Sequence, residues 1–251
     1  MILHNNVDLT KIMISIVQQI KSSLQNKRFV IFTILFPVVF YVFFIKQLNY
    51  VNTEDSSMIA LFSAMFGIAG SGLNTFSQKV SKEKGYFRIM DKISPYSYAH
   101  YMFDSVLAQT ILNLLILFFI TLAGVLVGNL KVTGSYLSIA SLLLYFGFYY
   151  IVIGFLLGTI FNDETLASAS MPIFFAFMML NITPNIMSTM KMPDIIVTIQ
   201  KFFPGYYYNE VLLHKTAEKF LHAFLVISLY VFIAGLVTVA VNKFLQINRR
   251  E

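Results

Sequence analysis

Cysteine is absent from this 251-residue chain, which excludes disulfides, thiolate metal sites and cysteine nucleophiles. Tryptophan is absent too, and only 12% of residues are charged, against roughly 25% in a soluble domain. No G-x-x-x-x-G-K-[ST] segment occurs, so the chain lacks the usual loop for cradling the phosphates of ATP. No H-E-x-x-H occurs either, and His4, His100, His214 and His222 are scattered. His214 and His222 have only Glu210 and Glu218 as nearby acids, too few ligands for a metal site. No catalytic residue and no metal are expected. Missing Cys and Trp, with abundant Ile, Lys and Asn, fit an AT-rich bacterial genome.

What fills the chain is apolar. It is 57% hydrophobic, with a mean hydropathy of +0.73. Six stretches are each about long enough to cross a bilayer: 29–48, 58–76, 102–127, 136–161, 166–186 and 221–245. The first contains FVIFTILFPVVFYVFFI without a charge. At a helix centre each Leu, Ile, Phe or Val favours insertion by about 0.3–0.6 kcal/mol, while one Lys or Asp opposes it by about 2.5–3.5. The expected fold is therefore an all-α integral membrane bundle. Residues 29–251 form one six-helix transmembrane domain, and no cleavable signal peptide is expected ahead of it. Residues 1–28 precede the bundle. Within them Leu9, Ile12, Ile16, Ile20 and Leu24 recur at steps of three and four, the stripe of an amphipathic helix lying in the membrane interface. Pro37 and Pro172 fall inside the first and fifth spans and predict kinks.

Lys and Arg set the orientation. Twelve of the 18 fall on one side: Lys11, Lys21, Lys27, Arg28, five between Lys79 and Lys92, and Lys243, Arg249 and Arg250. Six fall on the other: Lys46, Lys131, Lys191, Lys201, Lys215 and Lys219. Both termini are expected in the cytoplasm of a bacterial plasma-membrane protein. This also accounts for the net charge of +6 without a nucleic-acid partner. Membrane lipid is the partner that composition implies directly.

Small residues stand at helix-packing spacing: Gly124 with Gly128, and Gly154 with Gly158. Packing within one subunit is preferred to a dimer seam. Asn74, Asn113 and Asn181 are the polar residues at depth. They are expected to act as interhelical hydrogen-bonding groups or, with Met178 and Met179, to line a substrate path. Phe174, Phe175 and Phe177 would add an adaptable apolar surface beside them.

The segment after span two, Ser77 to Tyr101, carries mixed charge, Gly85 and a Ser94-Pro95 turn. It reads as a short helix broken at Gly85, then a turn, then an aromatic lead through Tyr96, Tyr98 and Tyr101 at headgroup level. Its order Lys82-Glu83-Lys84-Gly85, then Arg88, then Ser94-Pro95, resembles the cytoplasmic loop of ABC-2 type permeases. These are the membrane subunits of ATP-binding-cassette exporters. Tyr86 stands where that family usually has Thr. A second match is Pro204-Gly205-Tyr206-Tyr207-Tyr208-Asn209-Glu210, which is similar to the family's P…Y…E segment. The resemblance implies a coupling loop at Lys82–Arg88 and Ser94–Pro95 resting on a separate ATPase subunit. It implies a short extracellular helical hairpin between spans five and six, holding Pro204, Gly205, Tyr208 and Glu210. It implies a second permease subunit, the same or paralogous. ATP and Mg would belong to the ATPase, and this chain would hold no cofactor. The cargo would be amphiphilic: a drug, an antimicrobial peptide or a lipid-linked molecule. A membrane immunity or sensor protein that binds a peptide without ATP-driven transport is the alternative. An intramembrane enzyme is disfavoured, because ionisable residues at depth are missing.

Overall fold

The computed structural model describes residues 2–47, 53–93, 98–181 and 193–247. Regular structure among them is helical throughout. An amphipathic helix α1 (Ile2–Gln25) ends at Asn26. A turn α2 (Lys27–Phe29), a π segment (Val30–Leu35) and α3 (Phe36–Gln47) then make the first rod. Next come α4 (Thr53–Gly70), a second π segment (Ser71–Phe76) and α5 (Ser77–Ile93), and after them α6 (Tyr98–Val127), α7 (Gly134–Ile160) and α8 (Asp163–Asn181). Two short helices, α9 (Asp194–Gln200) and α10 (Pro204–His214), lead into α11 (Ala217–Ile247).

Five helices among the described residues are long and apolar enough to cross a membrane: Val30–Gln47, Ser56–Tyr86, His100–Val127, Gly134–Ile160 and Ala217–Phe244. They match the expected spans one to four and six. The expected fifth span begins as α8, which is not among these five. Its first turn carries Asp163 and Glu164, and Ser168, Ser170 and Pro172 dilute the apolar run. Residues 182–186 of that span lie outside the described residues.

The second and fourth spans form the centre. Ala60, Leu61, Ala64, Met65, Ile68 and Leu73 of the second span are fully or almost fully buried, as are Leu143, Phe146 and Tyr150 of α7. Around them α3, α6 and α11 turn bulky apolar side chains outward, among them Phe43, Phe118, Leu126, Phe232 and Leu236. In water such a surface would be untenable, but facing lipid it carries no penalty. The middle of the α1 stripe turns inward, while Leu24 at its end is exposed. Ile12, Ile16 and Ile20 are half-buried, while Met13, Ile14 and Val17 are exposed.

Glycines set how closely the central helices approach. A Cβ on Gly72 would lie 2.9 Å from Tyr150, and one on Gly158 would lie 2.5 Å from the Ser77 carbonyl oxygen. One on Gly154 would overlap the Gly72 carbonyl oxygen. Gly124 and Gly128 make room instead for Leu130 and the Tyr41 hydroxyl, which bonds Ser56 Oγ at 2.7 Å. Both four-residue glycine pairs are thus used inside this chain.

Pro37 does not act by a simple kink. The π segment Val30–Leu35 lies just before it, and the Phe36 N–H reaches back five residues to the Ile31 carbonyl. That wider turn accommodates the donor that proline lacks.

Candidate functional site

The stretch expected as a helix broken at Gly85 is one unbroken helix. α5 runs on from the second span and passes through Gly85 to Ile93. Ser94 and Pro95, and the side chain of Arg88, lie outside the described residues. A glycine weakens a helix interior by only about 1 kcal/mol, and the contacts that brace α5 exceed that.

Within six residues α5 reaches four other helices. Lys79 Nζ donates to Gln19 Oε1 of α1 at 2.7 Å. Ser81 Oγ donates to the Phe161 carbonyl at 2.9 Å, beyond the end of α7. Lys82 pairs with Asp163 of α8 at 3.8 Å. Both side chains are well exposed there, so that pair adds little. The Tyr101 hydroxyl of α6 donates to Glu83, so Tyr101 is a partner of the arm and not only a headgroup aromatic. Lys84 Nζ donates to three carbonyls at the end of α7: Gly158 at 3.1 Å, Thr159 at 3.3 Å and Phe161 at 2.5 Å. A helix leaves its last four carbonyls without intrahelical donors, and its C-terminus carries partial negative charge. The ammonium answers both. Beyond this brace Gly85 and Tyr86 are exposed, and nothing lies within 4 Å of where a Gly85 Cβ would sit.

A cleft of about 270 Å³ opens between the first span, the second span and α8. Phe32, Phe36, Phe66, Phe174 and Phe175 give it an aromatic wall, and Asn74 is its polar end. Two of its walls include π segments, which bring Phe32, Thr33 and Asn74, and the third is α8 around Pro172. Such segments free backbone groups and occur often at functional positions. Asn74 is held by neighbours. Its Oδ1 accepts from Gln78 at 2.7 Å and from Ser170 at 2.6 Å, and its Nδ2 meets Met171 Sδ at 3.7 Å.

Asn113 and Asn181 are elsewhere. Asn113 is buried beside Gln109, which donates to it at 3.3 Å and also bonds Ser71. Asn181 ends α8 and organises α10. Its Oδ1 accepts the Gly205 N–H at 3.0 Å, and its carbonyl accepts from Asn209 Nδ2 at 2.6 Å. Met178 is buried and Met179 is exposed, and neither lines the cleft. Of the five residues named for a path, the cleft holds Asn74 alone.

Pro204 begins α10, and Pro204, Gly205 and Tyr208 are buried. Glu210 takes Lys219 Nζ at 2.8 Å and His214 Nε2 at 3.6 Å. Burial and the Glu210 charge push the Tyr206 phenol above its ordinary range. Asn181→Ala would leave the Gly205 N–H unmet in a buried position, a loss of about 1–3 kcal/mol. The expected result is faster amide exchange across α10. Unchanged exchange in the alanine variant would refute that role.

Helices of this length with lipid-facing apolar surfaces, closing on a buried centre, define a multi-pass membrane protein. The chain belongs to the ABC-2 family of transporter proteins: the family's sequence model matches residues 46–242. It is a transport permease of that class. The curated Bacillus subtilis (strain 168) protein described as "Putative transport permease YvfS" is 23% identical over 200 residues, covering 77% of this chain and 80% of the relative. No solved structure matches the chain.

Proposed function

We propose that this chain is the membrane half of an ATP-driven exporter. A separate ATPase subunit docks against the exposed end of α5 around Gly85 and Tyr86, with α1 as a second contact. ATP and Mg reside in that subunit. The termini and α5 face the cytoplasm, as the distribution of Lys and Arg indicates. α8 belongs to the fifth of six spans, and α9 with α10 forms an extracellular hairpin. A second permease subunit, identical or paralogous, completes the assembly. The cargo is amphiphilic, and the aromatic cleft ending at Asn74 receives its apolar part.

One observation carries this reading. Between Lys79 and Lys84, a charged helix projecting from the second span is tied to α1, α6, α7 and α8. A push on α5 therefore reaches most of the bundle as a rigid-body displacement. Transport needs an external source of work, since the chain has no phosphate loop and its buried Asp104 lies near the start of α6 rather than in mid-membrane. A peptide sensor would not require such a brace.

Gly85 supplies the test. Nothing among the described residues packs where its side chain would be, which leaves room for a partner's close approach. Gly85→Trp should insert and melt like wild type, yet lose co-purification of the ATPase by tenfold or more, on the order of 1.4 kcal/mol. Gly85→Ala should raise helix stability by about 0.8–1 kcal/mol. Full ATPase recovery with the tryptophan variant would place docking elsewhere.

A further inference from the structure

Two cavities adjoin where α4, α7 and α11 begin, at the membrane face opposite the α5 arm. One measures about 200 Å³ and the other about 370 Å³, and they share Ser135, Ile139 and Lys215. Two lysines line the first: Lys131, from the connection between α6 and α7, and Lys215, from the turn between α10 and α11. Ser57 and Ser135 line it too, and Leu212 and Ile139 add apolar surface. Three segments distant in sequence thus bring lysines and serines to one hollow.

The backbone of both lysine-bearing turns is unusual. Among the described residues, only Asn129 (φ 52°) and Lys215 (φ 50°) are non-glycine residues with positive φ. Lys215 follows the last residue of α10 in the left-handed conformation, where glycine is the usual occupant. A side chain kept at such a position points to a use for it.

We propose that this hollow binds the phosphate of a phospholipid headgroup. Lysine ammoniums and hydroxyls supply donors to phosphate oxygens, and the apolar surface takes the start of the acyl chains. The position suits a lipid, because these helices begin where the bilayer meets water. The first turn of α4 carries Glu54 and Asp55, so the face is not uniformly basic. A single phosphate charge fits it better than a polyanion. This assignment is independent of how an ATPase docks.

Native mass spectrometry of the full chain tests it, with the protein released from nanodiscs of dioleoylphosphatidylglycerol and dioleoylphosphatidylcholine. Wild type should retain a phosphatidylglycerol adduct, and the Lys131→Gln/Lys215→Gln variant should retain about tenfold less. The Lys131→Arg/Lys215→Arg variant and a Lys201→Gln control should behave like wild type. If the double glutamine variant does not fold, Lys131→Gln alone should show the same loss in smaller degree. Equal retention by wild type and glutamine variants would overturn the proposal, as would an arginine variant depleted like the glutamine one. Displacement by inorganic phosphate with no preference for lipid would overturn the lipid assignment in favour of a free phosphate.

Discussion

Replacing Gly154 by leucine is expected to prevent the bundle from assembling. A Cβ at that position would overlap the Gly72 carbonyl oxygen, which belongs to the backbone of the second span. No rotamer relieves a clash between a Cβ and a backbone oxygen, so the helices must separate. Gly158 adds to the same seam, where a Cβ would meet the Ser77 carbonyl oxygen at 2.5 Å and Val80 Cβ at 2.7 Å. Overpacking a core typically destabilises by about 1–3 kcal/mol and sometimes more. Here a Cβ would overlap a backbone oxygen between the two central helices, where no side chain can yield, so the loss at Gly154 exceeds that range. Against a net stability of about 5–15 kcal/mol, Gly154→Leu should give aggregated chain on size exclusion in detergent, and Gly158→Leu a lowered melting temperature. Gly235→Leu is the control: nothing lies within 4 Å of its Cβ position on α11, and it should elute and melt like wild type. A monodisperse Gly154→Leu protein of unchanged melting temperature would show that the seam yields.

The glycine spacing in α7 was legible in the sequence because it is a local signal, while the helix it meets was not. Also legible were the uncharged first span and the long apolar runs of α6, α7 and α11. The continuity of α5 was not. Gly85, and the Ser94-Pro95 pair beyond it, punctuate the sequence as a loop would. The helix holds because Tyr101 binds Glu83 and Lys84 binds the end of α7, and no local pattern announces partners 18 and 74 residues away. α8 shows the reverse effect. Its serines and Pro172 weaken the apolar run, yet Ser170 is buried with its hydroxyl on Asn74. The residues that make the helix poorly apolar are those that seat it. Asn181 illustrates the third limit: sequence marks a polar residue at depth, while only the fold distinguishes a helix-organising amide from a cleft-lining one.

Lys84→Met should separate ATPase docking from movement of the membrane helices. Lys84 is half-buried, and its ammonium joins α5 to the Gly158, Thr159 and Phe161 carbonyls. Methionine keeps most of the apolar stem and removes the donors. A cation at a helix C-terminus contributes about 0.3–1 kcal/mol, and hydrogen bonds to charged groups about 1.5–3. With partial exposure the lower part of that range applies, so the end of α7 should open about tenfold more often, readable as faster amide exchange over residues 158–162. Gly85 and Tyr86, on the exposed side, are untouched by the change, so an ATPase that docks there should still co-purify. What should fall is transmission. Spin labels on α5 and on α7, in the complex with its ATPase, should shift together on nucleotide addition in wild type, and the α7 label should respond weakly in Lys84→Met. Lys84→Arg, which restores a cation with several donors, should recover most of the response. If the methionine variant moves α7 as fully as wild type, the force travels through Ser81, Glu83 or Lys79, and the three carbonyl contacts of Lys84 serve only to finish the helix.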